Sequence, residues 1–406
     1  MDLHTRPLRS AEIRQANEKL ILHLMHRKNP ISQSELVAHT GLQASTVFRI
    51  FKSLEDRDFI KVCKEKENTG NKKGRKPVYY TVNPNVAYAA GIDISSYGAS
   101  LLLIDFSGTT VAEKSLSYES RSIEAEDFIA SIIALVEDGL DEAEIPLESL
   151  LGIGIGAPGI VDIQRGSIVR YSRFPGMEDY PLKEKIEKHF SAPVFLHNNT
   201  SVIALSELRY GRAKGKNSLV AFLIRAGVGG AYVSEGRIFE SQGKTAFEAG
   251  HMAVDLLQVG KSAGQETLED FVSEEAILKR VTAETGRVTG WKDLLYYLEQ
   301  RDEQVLGIMR ELVRVLLGAT HNIALLLNPE VILIICRYRV LAEFIAEELD
   351  HYISSRFDPA CIDTHKIIPL EFDPAISCRG AAEFVFDDYF GISDVKYTEF
   401  PPKTGS

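Results

Sequence analysis

The sequence predicts two units of different kind: a winged helix-turn-helix head over residues 1–85 and a larger layered α/β body behind it. Three observations carry this expectation. Charge is divided along the chain, because residues 1–85 hold 16 Lys+Arg against 9 Asp+Glu, a net +7, which leaves −18 of the total −11 for the remainder. The first 85 residues string together helix, capped helix, turn, helix and two β-rich runs around a basic loop. Beyond Asn83-Pro84-Asn85, apolar strands alternate with helices, the pattern of α/β layers. A length of 406 residues also exceeds one ordinary domain and suits a small module plus a bilobal body.

In the head, Ile13 to His26 carries Leu20, Ile21, Leu24 and Met25 in rows of i, i+4 spacing, an amphipathic helix stopped by Lys28-Asn29-Pro30. Ser32-Gln33-Ser34-Glu35 fits a capping box, in which hydroxyl and carboxylate each satisfy a free amide at a helix start. Thr40-Gly41-Leu42 supplies the turn. From Ala44 to Asp56, Val47, Ile50, Phe51 and Leu54 share one face, and Ser45, Arg49 and Lys52 the opposite one, with Gln43 and Thr46 near the start. Those polar side chains suit the hydrogen-bonding edges of a DNA major groove. Phe59 to Val62 and Val78 to Val82 read as strands flanking a loop with Lys64, Lys66, Lys72, Lys73, Arg75 and Lys76, a wing able to enter a narrow minor groove. A basic head on an acidic body is the asymmetry expected when only the head meets phosphates.

Four scattered cysteines, Cys63, Cys336, Cys361 and Cys378, form no C-x-x-C pair, so neither a disulfide framework nor a thiolate metal site is indicated. No apolar run approaches the roughly 18 residues of a membrane span, and the first residues lack a signal-peptide core. A soluble cytoplasmic protein without membrane contact is expected.

In the body, Ala90 to Ile94 and Ala99 to Asp105 read as a hairpin, and Leu151 to Asp162 as a strand running into the glycine-rich turn Gly156-Ala157-Pro158-Gly159. Arg225-Ala226-Gly227-Val228-Gly229-Gly230-Ala231 is a second glycine-rich segment, and Phe247-Glu248-Ala249-Gly250-His251 follows it. Gln304 to Leu327 is a long apolar-rich helix, and Ser377-Cys378-Arg379-Gly380-Ala381-Ala382-Glu383 stands further on.

These segments, in this order behind a winged helix-turn-helix, resemble the ROK family of repressors and sugar kinases, whose repressors answer to xylose, N-acetylglucosamine or glucose. The resemblance implies an actin-like, ribonuclease H-like body of two lobes with a sugar in the cleft. By position it divides the body into a first lobe over 86–196, completed by 383–398, and a second over 197–382. It implies a sugar site of Asn198, Asn199, Glu248, His251 and Glu269.

The chain also departs from the kinase pattern. In the kinases the segment corresponding to Val194–Thr200 ends in Asn-Asp, whose aspartate takes the proton of the attacking sugar hydroxyl. Asn199 stands there instead, and a carboxamide cannot accept that proton. Loss of a general base costs about 10²- to 10⁴-fold in rate. His197, next to the site, is expected to point to the opposite face. Ile335, Cys336 and Arg337 replace a glycine pair beside the nucleotide, and Asp93 to Gly98 replaces a glycine-rich phosphate loop with bulkier residues. The family's zinc thiolates fall at Gly260, Ser262 and Thr267. Neither zinc nor ATP is therefore expected as a cofactor, and no catalysis. The expectation is a repressor of carbohydrate genes, a homo-oligomer on operator DNA released by a monosaccharide. Two rivals stand beside it: a sugar kinase with a fused DNA-binding head, and a repressor whose body is only a scaffold.

Overall fold

The computed structural model describes residues 10–63, 77–118, 124–171, 176–241, 244–245, 247–254, 267–356 and 366–391. The head consists of α1 (Ser10–Arg27), β1 (Ile31–Ser32), α2 (Gln33–Thr40), α3 (Ala44–Asp56), β2 (Ile60–Val62) and β3 (Tyr79–Val82). The capping box forms as its residue types require, Ser32 Oγ accepting from Glu35 N and Glu35 Oε2 accepting from Ser32 N at 2.9 Å. Gly41 ends α2 at φ +67°, a left-handed position where a side chain is strained. Val47, Ile50, Phe51 and Leu54 are buried. A two-residue strand, β1, was not expected; it pairs with β3, giving the sheet order β1-β3-β2. Two residues are too short to display alternation, and Ser32 serves both strand and cap. The basic wing residues Lys64, Lys66, Lys72, Lys73, Arg75 and Lys76 lie outside the described residues, as do Gly260, Ser262 and the chain after Gly391.

The first lobe's sheet holds β4 (Tyr88–Ser95), β5 (Gly98–Asp105), β6 (Thr110–Ser117), β7 (Leu150–Ala157) and β10 (Val194–Asn198), in the order β10-β7-β4-β5-β6. β4, β5 and β6 form an antiparallel meander, and β7 and β10 add in parallel. α4 (Ala125–Glu142) and α5 (Leu182–Phe190) cover one face through a core that includes Phe128, Ile132, Ile153, Ile155 and Ile186. β8 (Ile160–Asp162) and β9 (Ser167–Arg170) belong to a small separate sheet at the cleft.

From β10 the chain enters α6 (Asn199–Arg209), then β11 (Ser218–Ile224), β12 (Val228–Ser234) and β13 (Arg237–Ile238). Two short strands, β14 (Glu240–Ser241) and β15 (Lys244–Thr245), join the small sheet. Next come α7 (Leu268–Val272), α8 (Glu274–Thr285), α9 (Trp291–Glu299) and α10 (Glu303–Leu327). β16 (Val331–Cys336), α11 (Arg339–Arg356) and β17 (Lys366–Glu371) complete the second lobe, whose sheet runs β13-β12-β11-β16-β17.

The last helix, α12 (Pro374–Phe390), returns to the uncovered face of the first sheet. It does so from its first turns, so the return begins ahead of the expected residue 383. Gly91 and Gly154 make this possible: a Cβ on either would lie 1.8 Å from a backbone oxygen of α12, of Cys378 and Ala381 respectively. On the same side, Ile21, Leu22 and Met25 of α1 share one core with Leu102, Ile104, Phe106, Val385, Phe386 and Phe390. Head and first lobe are therefore one packed body. Among the described residues, no helix is long and apolar enough to cross a membrane.

Candidate functional site

The exposed face of α3 carries Ser45, Arg49 and Lys52, with Gln43 exposed before its first turn and Thr46 half-buried. Sequence reasoning missed one neighbour. Phe48 lies on this face with 60 % of its surface exposed. The signal was present, an aromatic on the polar side of an amphipathic helix.

The second candidate is a cavity of about 520 Å³ between the lobes. Asn198, Asn199, Glu248, His251 and Glu269, nominated from three separate segments, all line it. The end of β10 and the start of α6 deliver the first two. Asn198 caps α6, accepting from Thr200 N at 2.9 Å, while its Nδ2 donates to Gly159 O at 3.0 Å and so ties the glycine turn to the helix. That amide thus builds the wall as well as facing the cavity. Asn199 opens α6 and is buried, its Oδ1 accepting only a long 3.5 Å bond from Thr200 Oγ1. Glu269, in the first turn of α7, accepts from Val228 N at 3.0 Å and fixes the second glycine loop. Glu248 and His251 are exposed at the rim. Carboxamide, carboxylates and imidazole together offer donors and acceptors suited to vicinal hydroxyls.

Behind the cavity, Asp93 accepts from Ser377 Oγ at 2.6 Å and stands 3.8 Å from Arg225 Nη1. Burial pushes its carboxyl up to about 6, although Arg225 and the Ser377 hydroxyl pull the other way. The pair joins the lobes, β4 to the loop after β11. Arg225 also lies over Phe372, 3.9 Å from the ring centroid.

His197 does not line the cavity, but not for the expected reason. Residues 197 and 199 would share a face if β10 continued; the strand ends at Asn198, and the imidazole stacks on Phe384 at 4.0 Å with 2° between planes. Burial lowers its pKa to about 4. The nucleotide side also differs from expectation. Ile335 and Cys336 do not project into a cavity but are buried in the cores on the two faces of β16. Only Arg337 reaches the neighbouring cavity, of about 600 Å³, where Tyr97, Lys279 and Trp291 are further walls. At Thr267, the one described member of the former thiolate positions, the hydroxyl donates to Asp270 Oδ2 at 3.0 Å.

A winged helix joined to two α/β lobes around a polar cleft defines the class: a DNA-binding head on a ligand-binding, sugar-kinase-like body. Residues 89–387 match the ROK family and residues 16–69 the MarR family. The chain belongs to the ROK family. It is similar to the xylose repressor of Bacillus spizizenii, 24% identical over 381 residues that cover 94% of this chain and 97% of that protein. Among solved structures, a ROK family transcriptional regulator, a homologue of the E. coli MLC protein, superposes with a TM-score of 0.77 at 21% identity, covering 93% of this chain and 98% of the other. A ROK family glucokinase from Streptomyces griseus, in complex with glucose and AMPPNP, gives 0.62 at 18% identity, over 73% of this chain and 99% of its own.

Proposed function

We propose that the chain is a sugar-responsive transcriptional repressor, cytoplasmic and homo-oligomeric, that leaves operator DNA when a monosaccharide occupies the cleft. One observation carries the reading: the five residues nominated for a sugar converge on one interlobe cavity of about 520 Å³, a volume suited to a small polar ligand, in a chain whose head is a winged helix. Xylose repressors among the relatives support a sugar effector of pentose or hexose size. In a dimer, the two α3 helices would enter major grooves one helical turn apart, about 34 Å, or a multiple of it.

The reading is of binding without turnover. Asn199 can hydrogen-bond a hydroxyl but cannot remove its proton. Thr267 has its hydroxyl engaged at a helix cap and offers no soft ligand, so no zinc role is assigned to His251.

Thermal unfolding of the full chain against D-xylose, D-glucose and N-acetylglucosamine tests this, repeated with a DNA duplex selected by the protein. A sugar at 100 times its Kd adds about 2.7 kcal/mol of stability. A sugar that stabilises the protein and weakens DNA binding over the same concentrations supports the reading. Phosphorylation of the sugar by ATP would overturn it in favour of a kinase, and DNA binding indifferent to every sugar would leave the body a scaffold.

A further inference from the structure

Two features outside the reading above carry inferences of their own, and the first is the ring of Phe48. It sits among Ser45, Arg49 and Lys52 at i, i+3, i+4, i+7 spacing, opposite the four residues that anchor α3 in the core. We propose that Phe48 reads sequence by covering the 5-methyl group of a thymine. That methyl is the apolar feature of the major-groove surface, and an aromatic ring is a suitable contact for it. Arg49 and Lys52, one residue and about one turn further along the exposed side of α3, supply the positive charge that draws the same face to DNA. The proposal rests on DNA binding by the head. Full-length protein selects its preferred duplex from a random pool, and each thymine of that duplex is then replaced by deoxyuridine, which deletes only the methyl. We expect one position per half-site where replacement weakens wild-type binding about fivefold or more, and no such position for Phe48→Ala. The proposal is overturned if no single methyl matters, or if wild type and Phe48→Ala lose equally at the same thymine. Failure of the wild type to bind any DNA removes the head's reading itself and is recognisable as such.

The second feature is a charged cluster at the far end of α6 from the cavity. Arg209, closing α6, donates to Glu383 Oε2 at 3.3 Å and to Asp387 Oδ2 at 2.6 Å. Arg27, closing α1 of the head, donates to the same Glu383 oxygen at 2.8 Å, lies 3.7 Å from Asp387 Oδ1 and contacts the Tyr210 hydroxyl. All four ionised side chains are at most 15% exposed. One helix thus has its first turn in the cavity wall, at Asn199 and Thr200, and its last residue in an ion cluster shared with the head. Along it, residues 199–208 are buried without a break, over a length of about 15 Å. Within the head, α1 is tied onward to the end of α3 by Arg57 and Glu18.

We infer that α6 is a rigid rod, and the Arg27–Glu383–Arg209 cluster the joint, through which occupation of the cavity repositions α3. The three are positioning residues, and the inference deepens the sugar-responsive reading. A test without sugar separates the two. A Cβ at Gly229 would lie 2.1 Å from Thr200 Oγ1 and 3.3 Å from its Cβ, so Gly229→Val pushes directly on the first turn of α6. Hydrogen exchange of the full chain is compared for wild type, Gly229→Val and Gly229→Val/Glu383→Gln. Gly229→Val should change exchange in α1 and α3 by about fivefold or more, the lower end of ordinary coupling between sites. Adding Glu383→Gln should abolish that change while leaving the one in the first turn of α6. The same abolition is expected with Arg209→Lys, which serves if Glu383→Gln does not fold. Head amides that respond equally with the joint cut, or that ignore Gly229→Val altogether, overturn the inference whatever the sugars do.

Discussion

Gly154→Ala adds a single methyl group, and the structure says how much room it has. The new Cβ would sit 1.8 Å from the carbonyl oxygen of Ala381, 2.4 Å from its carbon and 3.1 Å from the nitrogen of Ala382. All three are backbone atoms of a helix, so no side-chain rotation relieves them. Carbon–oxygen contact is comfortable from about 3.3 Å, so α12 must retreat from β7 by about 1.5 Å. The same helix is pressed equally hard against Gly91, and its outer face carries Phe386 and Phe390 into the core shared with α1. Overpacking ordinarily costs about 1–3 kcal/mol, and the rigidity on both sides places this site at or above the top of that range. Gly318, inside α10 with nothing within 4 Å of its would-be Cβ, provides the comparison: Ala there should gain about 1 kcal/mol from helix propensity alone. Urea unfolding followed by far-ultraviolet circular dichroism measures both. A loss below 1 kcal/mol for Gly154→Ala would mean that helix and strand do not meet backbone to backbone, and the argument for their close seating would fail.

Three further outcomes follow from the sites. Burial, with Arg27 next, holds His23 down to about 3, and its Nε2 accepts from Arg27 Nε at 3.3 Å, so it is neutral when folded. The unfolded chain takes up that proton below about 6.5. The stability is therefore full above that pH and falls by about 1.4 kcal/mol per unit toward about 3, and His23→Gln should make the loss between pH 6 and 4.5 shallower by that slope in denaturant titrations. Arg49→Ala and Lys52→Ala should each reduce the slope of log affinity against log salt by about 1 in filter-binding titrations if each meets a phosphate, and an unchanged slope assigns the residue elsewhere. A coupled assay with ATP and each sugar should stay at background for the wild type, and rapid turnover would contradict the reading of Asn199.

How much of this was legible in the sequence depended on the range of the interaction. α3 is placed from Ala44 to Asp56 with the expected inward face because 3.6-residue periodicity acts within one helix, and the capping box needs only Ser32 and Glu35. The cavity residues follow from the family resemblance, position by position, and the fold brings their segments together. Phe48 lies off the core-facing stripe that helical periodicity marks, on the polar side of α3. For Ile335 and Cys336, the substitutions were visible but their direction was not, since a strand between two cores hides alternate side chains on both faces. The ion cluster was out of reach altogether: Arg27 and Glu383 are 356 residues apart and meet only after α12 has returned to the first sheet.

The core that joins α1 to α12 also bears on how freely such heads can be exchanged between bodies. An excised head would lose the cover that the body gives Ile21, Leu22 and Met25, and the body left behind the cover that α1 gives Phe106, Phe386 and Phe390. His26 adds a directional lock, its Nδ1 meeting the carbonyl of Phe106 at 2.9 Å while its ring lies 4.6 Å from that of Phe386. A chimaera cut at Asn83-Pro84-Asn85 would respect the change of composition in the sequence and violate the architecture. A swap that preserves this core has to carry α1 and α12 together as a matched pair, although they lie far apart in the sequence.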